Sequence, residues 1–144
     1  KFMDTYFSVL STLLKPHGLL GLQMITCPDS RYEILRDNVD FIQKYIFPGS
    51  LLPSISRVNQ AINKTGTLSL FELEDMGPSY AKTLDIWFDN FNSKLSEVRA
   101  LGFDERFIRK WNYYFKYCSA AFEMRNISVV QAIFTRPNNL SIAE

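Results

Sequence analysis

Apolar residues recur at helical spacing in four stretches of the chain, and shorter apolar runs separate these stretches. In the first stretch, Met3, Phe7 and Leu10 share one face, which is the spacing of an amphipathic helix. The last stretch begins after Asp104, a residue type favoured at the position before a helix. Helices are therefore predicted over residues 2–14, 54–63 and 79–100, and over the residues that follow Asp104.

Three short runs are predicted to be β-strands: 19–26, 67–73 and 127–134. The first is nearly all apolar, which is typical of a strand buried on both faces. Gln23 is its polar exception, and it either bonds nearby backbone or lies at the strand end where α/β sheets bind ligands. The order of helices and strands predicts a layered α/β fold, with residues 1–144 in one domain without an internal boundary.

Residues 40–54 combine an apolar helix with an apolar loop. The helix is predicted to begin near Phe41 and to stop at Phe47, because a residue before proline is disfavoured in the α region. Pro48 and Gly49 then favour a turn, and the leucines that follow run extended. Two interpretations remain open: a buried connection between layers, or one wall of an apolar pocket.

Composition narrows the functional classes. Hydrophobic residues make up 47% and charged residues 22%, as in globular proteins, and aromatic residues reach 15%, enough for a large core or an apolar cavity. A net charge of +1 gives no electrostatic basis for nucleic-acid binding. We expect neither a membrane span nor a signal peptide. We also expect no metal site, because Cys27 and Cys118 lie too far apart in the chain to form a metal-ligand pair. Both thiols are expected to be reduced, in a cytoplasmic protein. His17 lies in a predicted turn and is expected to be exposed rather than catalytic.

The stretch 40–54 resembles the signature of the cyclopropane-fatty-acyl-phospholipid synthases and their mycolic-acid relatives. These enzymes are S-adenosylmethionine-dependent methyltransferases that act on lipid double bonds. The resemblance runs from about Tyr6 to Pro137, in the family's order and spacing. It includes Leu13-Leu14-Lys15-Pro16, Leu22-Gln23 with Ile25, Arg31-Tyr32-Glu33, Tyr80 with Trp87, Leu101-Gly102-Phe103-Asp104-Glu105, Trp111 with Tyr113-Tyr114, and Gln131.

The resemblance implies the C-terminal part of a Rossmann-like class I methyltransferase fold: the last three strands of its sheet plus the lipid-facing helices. The family binds S-adenosylmethionine through a Gly-rich turn and an acidic ribose ligand, and no Gly-x-Gly occurs in this chain. We therefore expect the chain alone to bind S-adenosylmethionine poorly and to be inactive by itself. An uncovered sheet edge predicts self-association, for instance as a homodimer, or marginal stability.

The chemistry of cyclopropane formation sets the demands on the site. Methyl transfer to an alkene produces a carbocation, and ring closure needs a base that removes a proton. Aromatic faces stabilise a cation by about 0.5–2 kcal/mol. The resemblance implies bicarbonate as the base, held by the Tyr80 hydroxyl, a backbone group of Ile25 and the side chain of Gln23. The best-known members have histidine where Gln23 stands, and a glutamine amide can donate a hydrogen bond but cannot carry a proton away.

The implied substrate is the cis-unsaturated acyl chain of a membrane phospholipid, met at the inner face of the membrane by a cytoplasmic, peripheral enzyme. Arg106, Arg109 and Lys110 either meet lipid phosphates or form a solvated helix face. Two alternatives remain: a catalytically silent lipid-binding or assembly module, and a related methyltransferase that makes a branched or oxygenated chain. Candidate acyl-tunnel residues, with core packing as the alternative for each, are Phe41, Tyr45, Phe47, Trp87, Phe91, Trp111 and Tyr114.

Overall fold

The computed structural model describes residues 2–142, which form seven α-helices, three β-strands and two short 3-10 turns. The helices are α1 (Met3–Leu13), α2 (Tyr32–Asp37), α3 (Phe41–Tyr45), α4 (Ile55–Asn63), α5 (Gly77–Ser93), α6 (Leu95–Ala100) and α7 (Glu105–Glu123). The strands are β1 (Leu20–Thr26), β2 (Ser69–Asp75) and β3 (Ser128–Thr135), and the 3-10 turns are Asp29–Arg31 and Leu140–Ile142. The end of the predicted polar tail, residues 143–144, lies outside the described residues.

These elements fall into two compact units. Unit 1 comprises the described parts of Lys1–Tyr32, Leu52–Asp75 and Val129–Glu144, and unit 2 comprises Glu33–Leu51 and Met76–Ser128. The chain therefore enters unit 2 twice, once for the short helices α2 and α3 and once for the helices α5 to α7.

Unit 1 is a three-stranded sheet with helices α1 and α4 packed together beside it. The strand order is β1-β3-β2, and β2 runs antiparallel to β3. Leu22 and Met24 of β1 pack on the core cluster of this unit, whereas Gly21 and Gln23 are exposed. The prediction that this strand is buried on both faces is therefore wrong, because within unit 1 the core packs on one of its faces. The core cluster consists of Phe7, Val58, Ala61, Ile62, Leu68, Ala132 and Phe134.

Unit 2 is built on the helix pair α5 and α7, which pack together along their length. Asn92 and Asn112 join them through reciprocal amide hydrogen bonds of 2.7 and 3.1 Å. The single helix predicted over 79–100 is interrupted, since Lys94 leaves the helical conformation at φ −113° and ψ 18°. Asp104 caps α7 as predicted, by accepting a hydrogen bond from the Phe107 backbone N–H.

The stretch 40–54 has the conformation that its sequence predicts. Asp40 and Gln43 form a reciprocal cap at the start of α3, which ends before Phe47. Gly49 adopts φ +82°, a left-handed conformation that favours glycine. The Gln43 side chain also donates a 2.8 Å hydrogen bond to the Ser50 carbonyl, so the helix and the turn are fixed to each other.

Two further features of the structure go beyond what the sequence predicts. β2 continues to Asp75, beyond its predicted end, because Glu74 and Asp75 pair with Gln131 and Val130 of β3. The charged segment before residue 38 contains the short helix α2, in which no residue is buried, so it shows no apolar stripe. His17 is exposed, as predicted, with its Nδ1 3.2 Å from Oδ1 of Asn139.

Candidate functional site

Helix α7 carries a continuous set of aromatic contacts in unit 2, which we call the inner aromatic cluster. Its members are Phe47, Phe91, Trp111, Tyr114 and Phe115. The Tyr114 ring lies 5.8 Å from Phe47 and 5.3 Å from Trp111, in both cases edge to face. Phe115 joins the cluster to Phe91 at 5.7 Å. The cluster brings together four of the predicted tunnel residues: Phe47, Phe91, Trp111 and Tyr114.

Tyr80 lies on the first turns of α5, against the other end of α7. Its ring is 5.2 Å from the ring of Phe122, which is only 2% exposed. Pro78 stands in the first turn of α5, where its fixed φ suits the start of a helix. Within residues 2–142 the Tyr80 hydroxyl has no hydrogen-bond partner. A half-buried phenol with a free donor is suited to holding a small anion.

Two ionisable side chains of α7 keep their protons in the folded protein: Tyr114, in the inner aromatic cluster, and Cys118. Burial raises the pKa of Tyr114 to about 12, and the neighbouring Cys118 and Tyr80 add to the shift. Burial also raises the pKa of Cys118 to about 12, with a smaller contribution from Asp40. Cys118 therefore remains a thiol and Tyr114 a phenol at neutral pH. That suits chemistry through a carbocation, which an ionised nucleophile would trap.

The same shifts predict a loss of stability at high pH. Both groups hold their protons more tightly in the folded state, so their contribution is full below the ordinary pKa values of 9.0 and 10.0. It is lost as the pH rises through 9 and 10 towards about 12. Urea unfolding across this range should give a falling free energy of unfolding for the natural chain. The decline should be shallower for Cys118→Ala and shallower still for Cys118→Ala with Tyr114→Phe; equal declines in all three would contradict the assignment.

A second set of rings, the outer aromatic cluster, lies on the exposed side of α3 and α7. Its members are Phe41, Tyr45, Tyr113 and Tyr117. Phe41 and Tyr45 were predicted to line the tunnel, and they contact this cluster instead of the inner one. Trp87, also predicted there, is 45% exposed and makes no ring contact within the described residues. The tunnel assignments of these three residues stay predictions.

Gln23 and Ile25 lie on β1 in unit 1. Gln131 of β3 donates a hydrogen bond from Nε2 to Gln23 Oε1 at 2.9 Å. This bond leaves the Gln23 amide donors without a partner among the described residues. Sequence reasoning noted Gln131 only as part of the resemblance, because nothing local relates two residues so far apart in the chain. A groove of about 380 Å³ surrounds the pair, lined by Gly21, Leu22, Gln23, Glu72, Glu74, Gln131, Ala132 and Ile133.

Across residues 2–142, no group of three or more histidine, cysteine or carboxylate side chains is arranged to hold a metal ion. In the same part of the chain, every helix is too short or too polar to cross a membrane.

Comparison with known proteins gives consistent matches. The sequence pattern of one family, described as mycolic acid cyclopropane synthetase, matches residues 1–132. The tuberculostearic acid methyltransferase UfaA1 of Mycobacterium tuberculosis is 36% identical over 126 residues, which is 88% of this chain and 30% of that protein. The cyclopropane-fatty-acyl-phospholipid synthase of Escherichia coli K12 is also 36% identical, over 99% of this chain and 36% of that protein.

Solved structures agree with the sequence matches. The cyclopropane synthase MmaA2 from Mycobacterium tuberculosis superposes with a TM-score of 0.82 at 26% identity. The mycolic acid cyclopropane synthase CmaA1, complexed with SAH and CTAB, has a TM-score of 0.82 at 28% identity. Each match covers 94% of this chain and 50% of the other. The chain thus spans about a third of the length of the two curated relatives and half of the length of these two structures. The matches confirm the predicted fold class, an α/β methyltransferase fold.

Proposed function

This chain belongs to the mycolic acid cyclopropane synthetase family, and on that premise we propose that it supplies the acyl-chain site of a cyclopropane-forming methyltransferase. One relative is named as a tuberculostearic acid methyltransferase, another as a cyclopropane-fatty-acyl-phospholipid synthase, and the related CmaA1 was solved in complex with SAH. The proposed reaction adds a methylene to the cis double bond of a lipid acyl chain. The observation that supports it is the inner aromatic cluster, which offers apolar faces for an acyl chain and electron-rich ring faces for a transient cation.

S-adenosylmethionine supplies the methyl group in such a reaction. The Gly-x-Gly turn with which the family binds that group does not occur in this sequence. No step is therefore assigned to S-adenosylmethionine in this chain. The roles proposed for the chain are to hold the acyl chain, to keep ionised nucleophiles away from it and to bind an anion.

Bicarbonate is the anion that the family resemblance implies, and when bound it supplies the base for the proton lost on ring closure. The Tyr80 hydroxyl and the Gln23 amide each offer a donor that no described residue uses. Gln23 is oriented by Gln131 and can donate without exchanging a proton. Ile25, half-buried on β1, is proposed to contribute a backbone group. Each of these residues is proposed, as the resemblance implies, to act as an anion ligand rather than as a proton carrier.

We place the proposed activity at the surface of a membrane. The lipid chains would come from phospholipids at the inner face, met by a cytoplasmic protein through peripheral contact. A catalytically silent lipid-binding module is the alternative, because the chain spans only part of its relatives. The two proposals can be distinguished by an assay of methyl transfer, with a protein that joins this chain to a cofactor-binding half. The enzyme proposal requires that a methylated lipid product forms, and the silent module predicts that none does.

The acyl-chain site can be tested on the chain itself by fluorescence quenching. Trp87 and Trp111 are the two tryptophans, so Trp87→Phe leaves only Trp111, in the inner cluster, and Trp111→Phe leaves only the exposed Trp87. A monomeric lysophospholipid with a mid-chain brominated acyl group should quench Trp111 saturably. Comparable quenching of Trp87 in the Trp111→Phe protein would place it in the tunnel as predicted, and its absence would leave the acyl chain to the inner cluster. Lack of quenching of Trp111 in a folded Trp87→Phe protein would contradict the proposal.

A further inference from the structure

We propose that the outer aromatic cluster, with the cations beside it, binds the anionic headgroups of a phospholipid bilayer. This inference rests on the proposed function, which makes membrane phospholipids the source of the acyl chain. The inference goes beyond that function by naming the surface of the protein that contacts the membrane. The cations concerned are Lys44 on α3, and Arg106 and Lys110 on α7.

The side of α7 that forms this surface is continuous. Arg106, Lys110, Tyr113 and Tyr117 are spaced by four, three and four residues, which places them on one face of the helix. Tyr113 is 52% exposed and Tyr117 is 40% exposed. Their rings stack at 5.5 Å with an interplanar angle of 18°. A contiguous patch of exposed rings, unlike a single exposed ring, is typical of a surface that contacts a partner or a membrane.

Helix α3 completes the surface from the other side. The Phe41 ring lies 4.6 Å from Tyr113 and 6.4 Å from Tyr117, so it fixes α3 against α7. Val39, just before the first turn of α3, is 73% exposed. An exposed apolar residue beside ordered tyrosines is the composition found at membrane interfaces, where rings sit at headgroup level.

The charges of the surface are complementary to phosphate. Lys44 Nζ lies 5.3 Å and Lys110 Nζ 5.7 Å from the centroid of the Tyr45 ring, so two ammonium groups from different helices share one ring. Within residues 2–142, neither lysine forms an ion pair with a carboxylate. The nearby Asp40 is engaged in capping α3. A lipid phosphate between the two lysines would relieve their mutual repulsion.

A bilayer fits this surface better than a nucleic acid does. The net charge of the protein is only +1, so long-range attraction to a polyanion is weak. Attraction must therefore be local, and juxtamembrane lysines contribute that kind of short-range attraction to anionic lipid. The tyrosines would add contact with the interfacial region whatever the charge of the lipid.

The test compares sedimentation of the 144-residue chain with vesicles of phosphatidylcholine alone and with vesicles that also contain phosphatidylglycerol. The natural chain should bind the anionic vesicles more tightly. The double variant Lys44→Gln/Lys110→Gln should lose about 5-fold per lysine, or roughly 25-fold, on anionic vesicles. Lys15→Gln/Lys82→Gln removes the same charge from exposed positions outside the surface and should stay within about twofold, because distant charges are screened.

The aromatic part of the surface has its own variant. Tyr113→Ser/Tyr117→Ser should weaken binding to both kinds of vesicle, whereas the lysine variant should affect anionic vesicles only. Thermal unfolding should show that all variants remain folded, since the replaced side chains are exposed or half-buried. Equal binding by the two lysine variants would overturn the proposal, and so would tighter binding to single-stranded RNA than to anionic vesicles.

Failure of this inference and failure of the proposed function give different results. Quenching of Trp111 by the brominated lysophospholipid reports the acyl-chain site and does not depend on Lys44 or Lys110. Intact quenching with no vesicle binding would refute only the surface. Vesicle binding at the surface without quenching would refute the acyl-chain site.

Discussion

Replacing Tyr80 with phenylalanine, in a methyltransferase that joins this chain to a cofactor-binding half, is expected to lower turnover about 10²- to 10³-fold. The substitution removes one hydroxyl donor and keeps the ring that packs 5.2 Å from Phe122. Loss of a donor to a charge in a site that excludes water typically costs about 2.7–4 kcal/mol. Turnover is measured with an unsaturated phospholipid and S-adenosylmethionine, and the affinity for S-adenosylmethionine should barely change.

Tyr6→Phe is the matched control, because it removes the same hydroxyl from a ring on α1 that is 48% exposed. Its turnover should be nearly that of the natural enzyme. Added bicarbonate should partly restore Tyr80→Phe if the defect is weaker anion binding. Unchanged turnover would remove Tyr80 from the site, and a loss that bicarbonate never restores would favour contact with the cation instead.

Elements with a strong apolar period could be predicted from the sequence, because a buried stripe leaves its spacing in the chain. Helix α4 has the expected bounds within one residue, and its buried residues Val58, Ala61 and Ile62 are those of the stripe. The cap at Asp104 could also be predicted, since its side chain bonds a backbone N–H only three residues away. In both cases the determining interactions are local.

Features that depend on distant residues could not be predicted. The end of β2 is set by its pairing with β3, and the partner of Gln23 lies 108 residues further along the chain. The break at Lys94 had no proline or glycine to indicate it. Tyr45 and Trp87 fit an apolar stripe in sequence but are exposed, because periodicity does not show which stripe a neighbouring helix covers.

The recognition of the family succeeded for a different reason. Short blocks such as Tyr80 with Trp87, and Trp111 with Tyr114, keep their order across the chain, and the family match confirms what they indicated. The order of these blocks along the chain does not predict which of their rings lie together in space. The structure places Trp111 and Tyr114 in the inner cluster and leaves Trp87 exposed.

Phe122→Ala is expected to destabilise unit 2 by about 3–5 kcal/mol, the usual cost of deleting a large buried ring. The side chain is 2% exposed on α7 and supports the ring of Tyr80. Urea unfolding followed by tryptophan fluorescence reports this unit directly, because Trp87 and Trp111 both belong to it.

Phe122→Leu keeps most of the volume and should cost less than about 1.5 kcal/mol. Phe2→Ala makes the same chemical change at a residue that is 75% exposed, so it should stay within about 0.5 kcal/mol of the natural chain. A loss below about 1 kcal/mol for Phe122→Ala would mean that this ring is not part of the core of unit 2, and the support for Tyr80 would have to come from elsewhere.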